Sequence, residues 1–168
     1  MKRRTLLTVG VVTGALLTLV GGTLALLKPG RRDGRFTESG TALFTAVAKA
    51  VLSSTLPAEP AALAKALQGH LKRLEDTIAG LNPHMQAEID ELATIVGSAP
   101  GRVALVGLNT DWASASTAQV SAALQDMRES KLAVRQQAYH ALRDLSNGAY
   151  FADPSTWQAI GYPGPRAL

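Results

Sequence analysis

The chain has 168 residues, 46% of them hydrophobic, which is enough to bury one core without metal or disulfide staples. It has no cysteine, so disulfides, thiolate nucleophiles, cysteine-bound iron–sulfur clusters and covalent haem are all excluded. Its formal charge of +4 does not mark a nucleic-acid binder: Lys2, Arg3, Arg4 and Lys28 hold four of the seventeen bases and no acid precedes Asp33, so residues 29–168 carry thirteen bases against thirteen acids, and a neutral body releases no counterions from a phosphate backbone.

Residues 1–29 read as an export signal or signal anchor. Three basic residues, Lys2 to Arg4, precede an uncharged run from Thr5 to Leu27, and Lys28-Pro29 closes it. Arg3 and Arg4, followed by Leu6 and Leu7, resemble a twin-arginine signal, with Lys2 where Ser or Thr is usual and Leu6 where Phe is commonest. The run is 23 residues long. At about 1.5 Å per residue it can cross a hydrocarbon core of about 30 Å. Its threonines and glycines make it only mildly apolar, and Thr23-Leu24-Ala25 is a poor cleavage site. Cleavage and retention as an inner-membrane anchor both stay open, as does a plain single-pass segment in which the arginines are only inside-positive charge.

A polar connector is expected over residues 30–38 and a helical bundle over 39–149. Leu43, Phe44, Val47, Ala48, Val51 and Leu52 fall on one helical face, with Thr37 or Ser39 as the cap and Leu56-Pro57 as the stop. A second helix opens at Pro60 with a stripe of Leu63, Leu67, Leu71, Leu74, Ile78 and Leu81. Asn82-Pro83 starts a third with Met85, Ile89, Leu92, Ile95 and Val96 inward, and Gly97 is expected to end it in a left-handed conformation. Val103 to Leu108 reads as a short buried helix or a strand. From Thr117 the helical pattern runs through Val120, Leu124, Met127, Leu132, Tyr139, Leu142 and Leu145 with a bend near Ser130. No alternating run suggests a sheet, so the fold class is all-α, with four or five helices.

Catalytic constellations are scarce. His84, Glu88 and Glu91 share a helical face with carboxylate-rich metal-site spacing, but no second Glu-x-x-His pair accompanies them, and a solvated polar face is the favoured reading. "GLNTDWASAST" lacks a nucleophile elbow and reads as a capped turn with Trp112 over the bundle end. Adjacent pairs such as Glu75-Asp76 and Asp90-Glu91 point in different directions along a helix and form no acid/base dyad. The chain reads as a non-enzyme with no catalytic, cofactor-binding or metal-binding residues of its own.

The C-terminal tail, 150–168, is different. Tyr139, Tyr150, Phe151, Trp157 and Tyr162, five of the eight aromatics, lie in the last thirty residues. Asp153-Pro154 reads as a cap and first-turn proline, Gly161 as the stop, and Pro163 and Pro165 force the chain beyond it into extended or turned backbone. Such a segment either folds back on its own bundle or docks on a partner, since Tyr and Trp dominate interface energetics.

The arrangement "ALQDMRESKLAVRQQAYHALRDLSNGAYFADPSTWQAIGYPGP", a helix running into Tyr-Phe-Ala-Asp-Pro-x-x-Trp and then Gly-Tyr-Pro-Gly-Pro, resembles the C-terminal signature of the gluconate 2-dehydrogenase subunit 3 family. The likeness is specific from Asp126 to Pro165, general in the signal, and one of size and helicity in between. It implies a small, or gamma, subunit of a periplasmic, membrane-associated dehydrogenase. FAD would sit in a GMC-type partner that has no export signal of its own, and a cytochrome c subunit is a further candidate in the same complex. The small subunit would carry the folded flavoprotein through the twin-arginine translocase. Residue by residue, Arg3 and Arg4 would be the export signal. Tyr150, Asp153, Pro154, Trp157, Gly161, Tyr162, Pro163, Gly164 and Pro165 would be the family motif, and with Phe151 the expected partner-binding set. The rival readings are a self-standing, membrane-anchored periplasmic helical binding or envelope protein, and a metalloenzyme using the His84 to Glu91 face.

Overall fold

The computed structural model describes residues 27–165, so Arg3, Arg4, Leu6 and Leu7 of the expected export signal lie outside the described residues. It is mostly helical, 68%. Five helices of twelve residues or more make the body: α1 Glu38–Val51, α2 Pro60–Ala79, α3 Pro83–Gly97, α4 Thr117–Arg128 and α5 Ala133–Phe151. Among the described residues no helix is long and apolar enough to cross a membrane.

The helix starts follow local capping chemistry. Thr37 caps α1 by accepting from the Gly40 N–H, Glu59 caps α2 through the Ala61 and Ala62 N–H groups, and Asn82 caps α3 through Met85. Pro60 and Pro83 each occupy a first-turn position, where a missing N–H costs nothing. Ser116 and Gln119 form a full capping box at the start of α4.

α1 is the central element and packs against all four other helices. Leu43, Phe44, Val47 and Ala48 on it are wholly buried, and Leu74, Ile78, Val96, Val120, Met127 and Leu142 close around them. Full burial of each large side chain contributes about 1.5–3 kcal/mol, which is what holds the bundle against chain entropy.

Several expectations are corrected. The connector over 30–38 contains a two-stranded antiparallel hairpin, β1 Arg31–Arg32 and β2 Arg35–Phe36. Asp33 and Gly34 both have positive φ, 52° and 77°, as the tight Asp-Gly hairpin turn requires. Arg31 turns inward to Asp90 at 2.6 Å, and Gly40 lies so close to the Gly30 carbonyl that a Cβ on it would collide with that oxygen, so this segment is sutured to α1 and α3. α1 ends at Val51, before Leu56-Pro57, and residues 52–56 turn back through bonds to the Leu52 carbonyl.

Gly97 is the last helical residue of α3 and is not left-handed; it is small because a Cβ there would stand 2.7 Å from the Ser39 hydroxyl oxygen. Residues Arg102–Val106 form a π-helical turn, ended by left-handed Gly107, and Val103 on it is 47% exposed. The buried member of that turn's polar groups is Arg102, which reaches the Leu108 carbonyl and Asp111 at 2.5 Å. The bend near Ser130 is a break: α4 stops at Arg128, and the Ser130 hydroxyl accepts from the Leu132 N–H before α5 begins.

Candidate functional site

The C-terminal segment is described through Pro165 and divides into two parts with different roles. Tyr150 and Phe151 belong to α5 rather than to the tail, which moves the expected boundary at 150 by two residues. Tyr150 is buried, its hydroxyl donates to the Thr55 carbonyl at 3.1 Å, and its ring meets His70 and Phe151 edge-on. Phe151 packs on the small cluster of Ala48, Leu52, Leu67 and Tyr150. These two aromatics clasp the end of α5 to α1 and α2.

From Asp153 onward the chain turns outward. Asp153 caps a 3-10 helix, Pro154–Ile160, by accepting from the Ser155 N–H at 2.9 Å, and it pairs with Arg73 of α2 at 3.0 Å. The hydrogen bonds from Ser155, followed by the Arg73 charge, hold its carboxyl below the usual carboxylate range. Thr156, buried, donates back to the Tyr150 and Asp153 carbonyls and locks the first turn down. Gly161 ends the turn in the left-handed region at φ 69°.

Trp157 donates from Nε1 to the Phe151 carbonyl at 2.8 Å, and its ring meets Tyr162 edge-on at 5.2 Å. Gly164, at φ 93°, lies under that indole, where a Cβ would sit 3.4 Å from the ring. Residues 154–165 thus turn back on one another and on the end of α5. They leave Ile160 at 51% and Tyr162 at 45% exposure, with Pro154, Pro163 and Pro165 also exposed. The ten residues of the expected partner-binding set therefore separate: Tyr150, Phe151 and Asp153 serve the fold, Gly161 and Gly164 shape the turn, half-buried Trp157 props it against the end of α5, and Tyr162 and the prolines form an outward knuckle. Ile160 joins them and was not expected; its apolar side chain inside a polar 3-10 turn was the available sign.

The His84 to Glu91 face differs from the solvated surface expected of it. Glu88 is buried, and His84 Nε2 lies 3.2 Å from its Oε1, within ion-pair reach but outside hydrogen-bond geometry. Burial and then the neighbouring Glu88 push the Glu91 carboxyl up. No group of three or more His, Cys, Asp or Glu among the described residues could hold a metal ion. Trp112 is buried as expected over the bundle end, its Nε1 donating to the Val96 carbonyl at 2.9 Å. No protein-family model, curated protein or solved structure matches the chain.

Sequence reasoning assigned no role to His70. Among the described residues its wholly buried ring has neither nitrogen hydrogen-bonded, and the buried Ser146 hydroxyl of α5 is likewise unpartnered. Burial, and then the nearby Arg73 charge, lower its pKa to about 4. The sign that could have found it is its position: His70 lies between Leu67 and Leu74 on the apolar stripe of α2.

Proposed function

We propose that the chain is the non-catalytic small subunit of a periplasmic, membrane-associated FAD-dependent dehydrogenase, which binds the flavoprotein subunit and carries it through twin-arginine export. The observation that carries this reading is the segment Tyr150–Pro165, where the family resemblance is most specific. Its supporting geometry is a division of labour within that segment: the first aromatics hold the fold, half-buried Trp157 props the turn, and Ile160 and Tyr162 are left exposed to meet a partner. A cysteine-free chain cannot hold haem c or a cysteine-bound cluster, so any such relay belongs to other subunits, where the resemblance also puts the flavin.

Affinity purification of the full chain from native membranes tests the reading. A stoichiometric, yellow, FAD-containing partner is expected; a lone colourless chain contradicts the subunit role and favours a self-standing membrane-anchored protein. Replacing Arg3 and Arg4 by Lys is expected to strand the partner's activity in the cytoplasm, and activity still exported contradicts the carrier role.

A further inference from the structure

A groove of about 880 Å³ runs along the outer side of α2. Its lining includes the small residues Ala62, Ala66 and Gly69, with Arg35 and Phe36 contributed by the hairpin and Ser155 and Ala159 by the C-terminal 3-10 turn. The two segments that read in the sequence as connector and tail thus border one depression.

Both carboxylates in the lining are already committed. Glu75 accepts from the Phe36 N–H at 2.7 Å and pairs with Arg35 at 3.0 Å, and Asp153 is held by Ser155 and Arg73. Two further lining cations, Lys65 and Lys72, are left over. Lys72 stands 3.5 Å from Asp76 with both side chains largely exposed, a pairing worth little. Lys65 enters no ion pair among the described residues.

Gly69 points the same way. A glycine inside a helix costs about 1 kcal/mol relative to alanine, and at this position the fold supplies no reason for it. A Cβ there would meet the Arg73 guanidinium, held by Asp153 and the Ala149 carbonyl, at 3.4 Å, an ordinary contact distance that alanine would tolerate. The missing side chain keeps the groove open where an occupant would approach the helix backbone.

We propose that this groove binds an acidic, extended segment of a partner polypeptide, its carboxylates reaching Lys65 and Lys72 while its backbone passes over Gly69. The identity of the partner as the flavoprotein rests on the accessory-subunit reading, whereas the chemistry of the groove is tested without it. The lined stretch of α2, Ala62 to Glu75, spans about 20 Å at a helical rise of about 1.5 Å. About six residues of extended chain, at about 3.3 Å each, cover that length.

The test is a titration of the detergent-solubilised full chain with a fluorescein-labelled peptide of alternating Glu and Ala, at low and high salt. Saturable binding that weakens with salt is expected, and the Lys65→Glu/Lys72→Glu double variant is expected to bind about tenfold more weakly. Gly69→Leu, which gains helix propensity but presses on the Arg73 guanidinium, is expected to abolish binding, with the melting temperature measured alongside to show that the fold is kept. Lys49→Glu and Lys131→Glu, outside the lining, serve as controls and are expected to change binding less than about twofold. No saturable binding, or binding that neither the lysine reversals nor Gly69→Leu diminish, overturns the proposal. A chain that binds the peptide in this way yet purifies without a flavoprotein supports the groove and contradicts the accessory-subunit reading.

Discussion

α1 and the C-terminal knuckle use the same kind of residue for opposite ends. On α1, which packs against four other helices, Phe44 is wholly buried and tilted against Phe36 at 4.7 Å. In the knuckle, Tyr162 touches Trp157 of its own turn and is 45% exposed. An aromatic side chain is therefore not evidence of core in itself; what decides its role is whether the backbone that carries it has other elements to pack against. The bundle has them. The knuckle leans mainly on the end of α5 and, through Asp153, on Arg73.

That contrast can be broken most forcefully in the core. Phe44→Ala removes a wholly buried ring and is expected to cost about 3–5 kcal/mol in denaturant unfolding of the purified chain. A loss below about 1 kcal/mol, the size of a surface effect, would show that α1 is not the centre of the fold.

The next effect lies at the joint between bundle and knuckle. His70 sits beneath Tyr150, with Arg73 one turn away on the same helix. Its pKa is depressed on folding from 6.5 to about 4, so the folded state binds the proton less readily than the unfolded chain. The stability this confers is fully present above pH 6.5 and is lost as pH falls toward about 4, a change of about 3 kcal/mol. Denaturant midpoints measured from pH 7 to pH 4 are expected to fall, and His70→Leu is expected to flatten that part of the profile. An unchanged slope in the variant would assign the acid sensitivity to other groups.

Smaller effects sharpen the distinction within the tail. Asp153→Ala removes the cap of the 3-10 turn and the Arg73 ion pair. It is expected to cost about 1 kcal/mol, read by thermal unfolding, and to free the knuckle from α2. Tyr162→Ala is expected to change stability by less than about 0.5 kcal/mol, as at other exposed sites. Its effect is expected instead on the partner complex, read by co-purification.

Legibility followed the range of the physics. Asn82-Pro83, Pro60, Thr37 and Asp153-Pro154 were readable as starts because a cap satisfies N–H groups two or three residues away. The stripes on α1, α2 and α3 were readable because helical periodicity is local as well. Gly97 misled because its smallness answers to Ser39, 58 positions away, and not to a left-handed cap. Buried Arg31, Arg102 and His70 were invisible for the same reason: each owes its burial to segments packed over it in three dimensions. Asp33-Gly34 did carry a hairpin signal, but two-residue strands have no alternation to detect. Of the candidate site, the turn and its cap were legible; which aromatics face inward was not, since that depends on how far α5 extends, and it extends to Phe151.

On the proposed reading, Ile160 and Tyr162 face a partner because the bundle does not need them. The most direct measurement is co-purification of the Ile160→Ser/Tyr162→Ala chain from native membranes, read by flavin absorbance alongside the thermal unfolding of the isolated chain. The predicted result is a chain that unfolds within about 1 kcal/mol of the parent and has lost its flavin-containing partner. A double variant that retains stoichiometric flavin, or one that no longer folds, would contradict the claim.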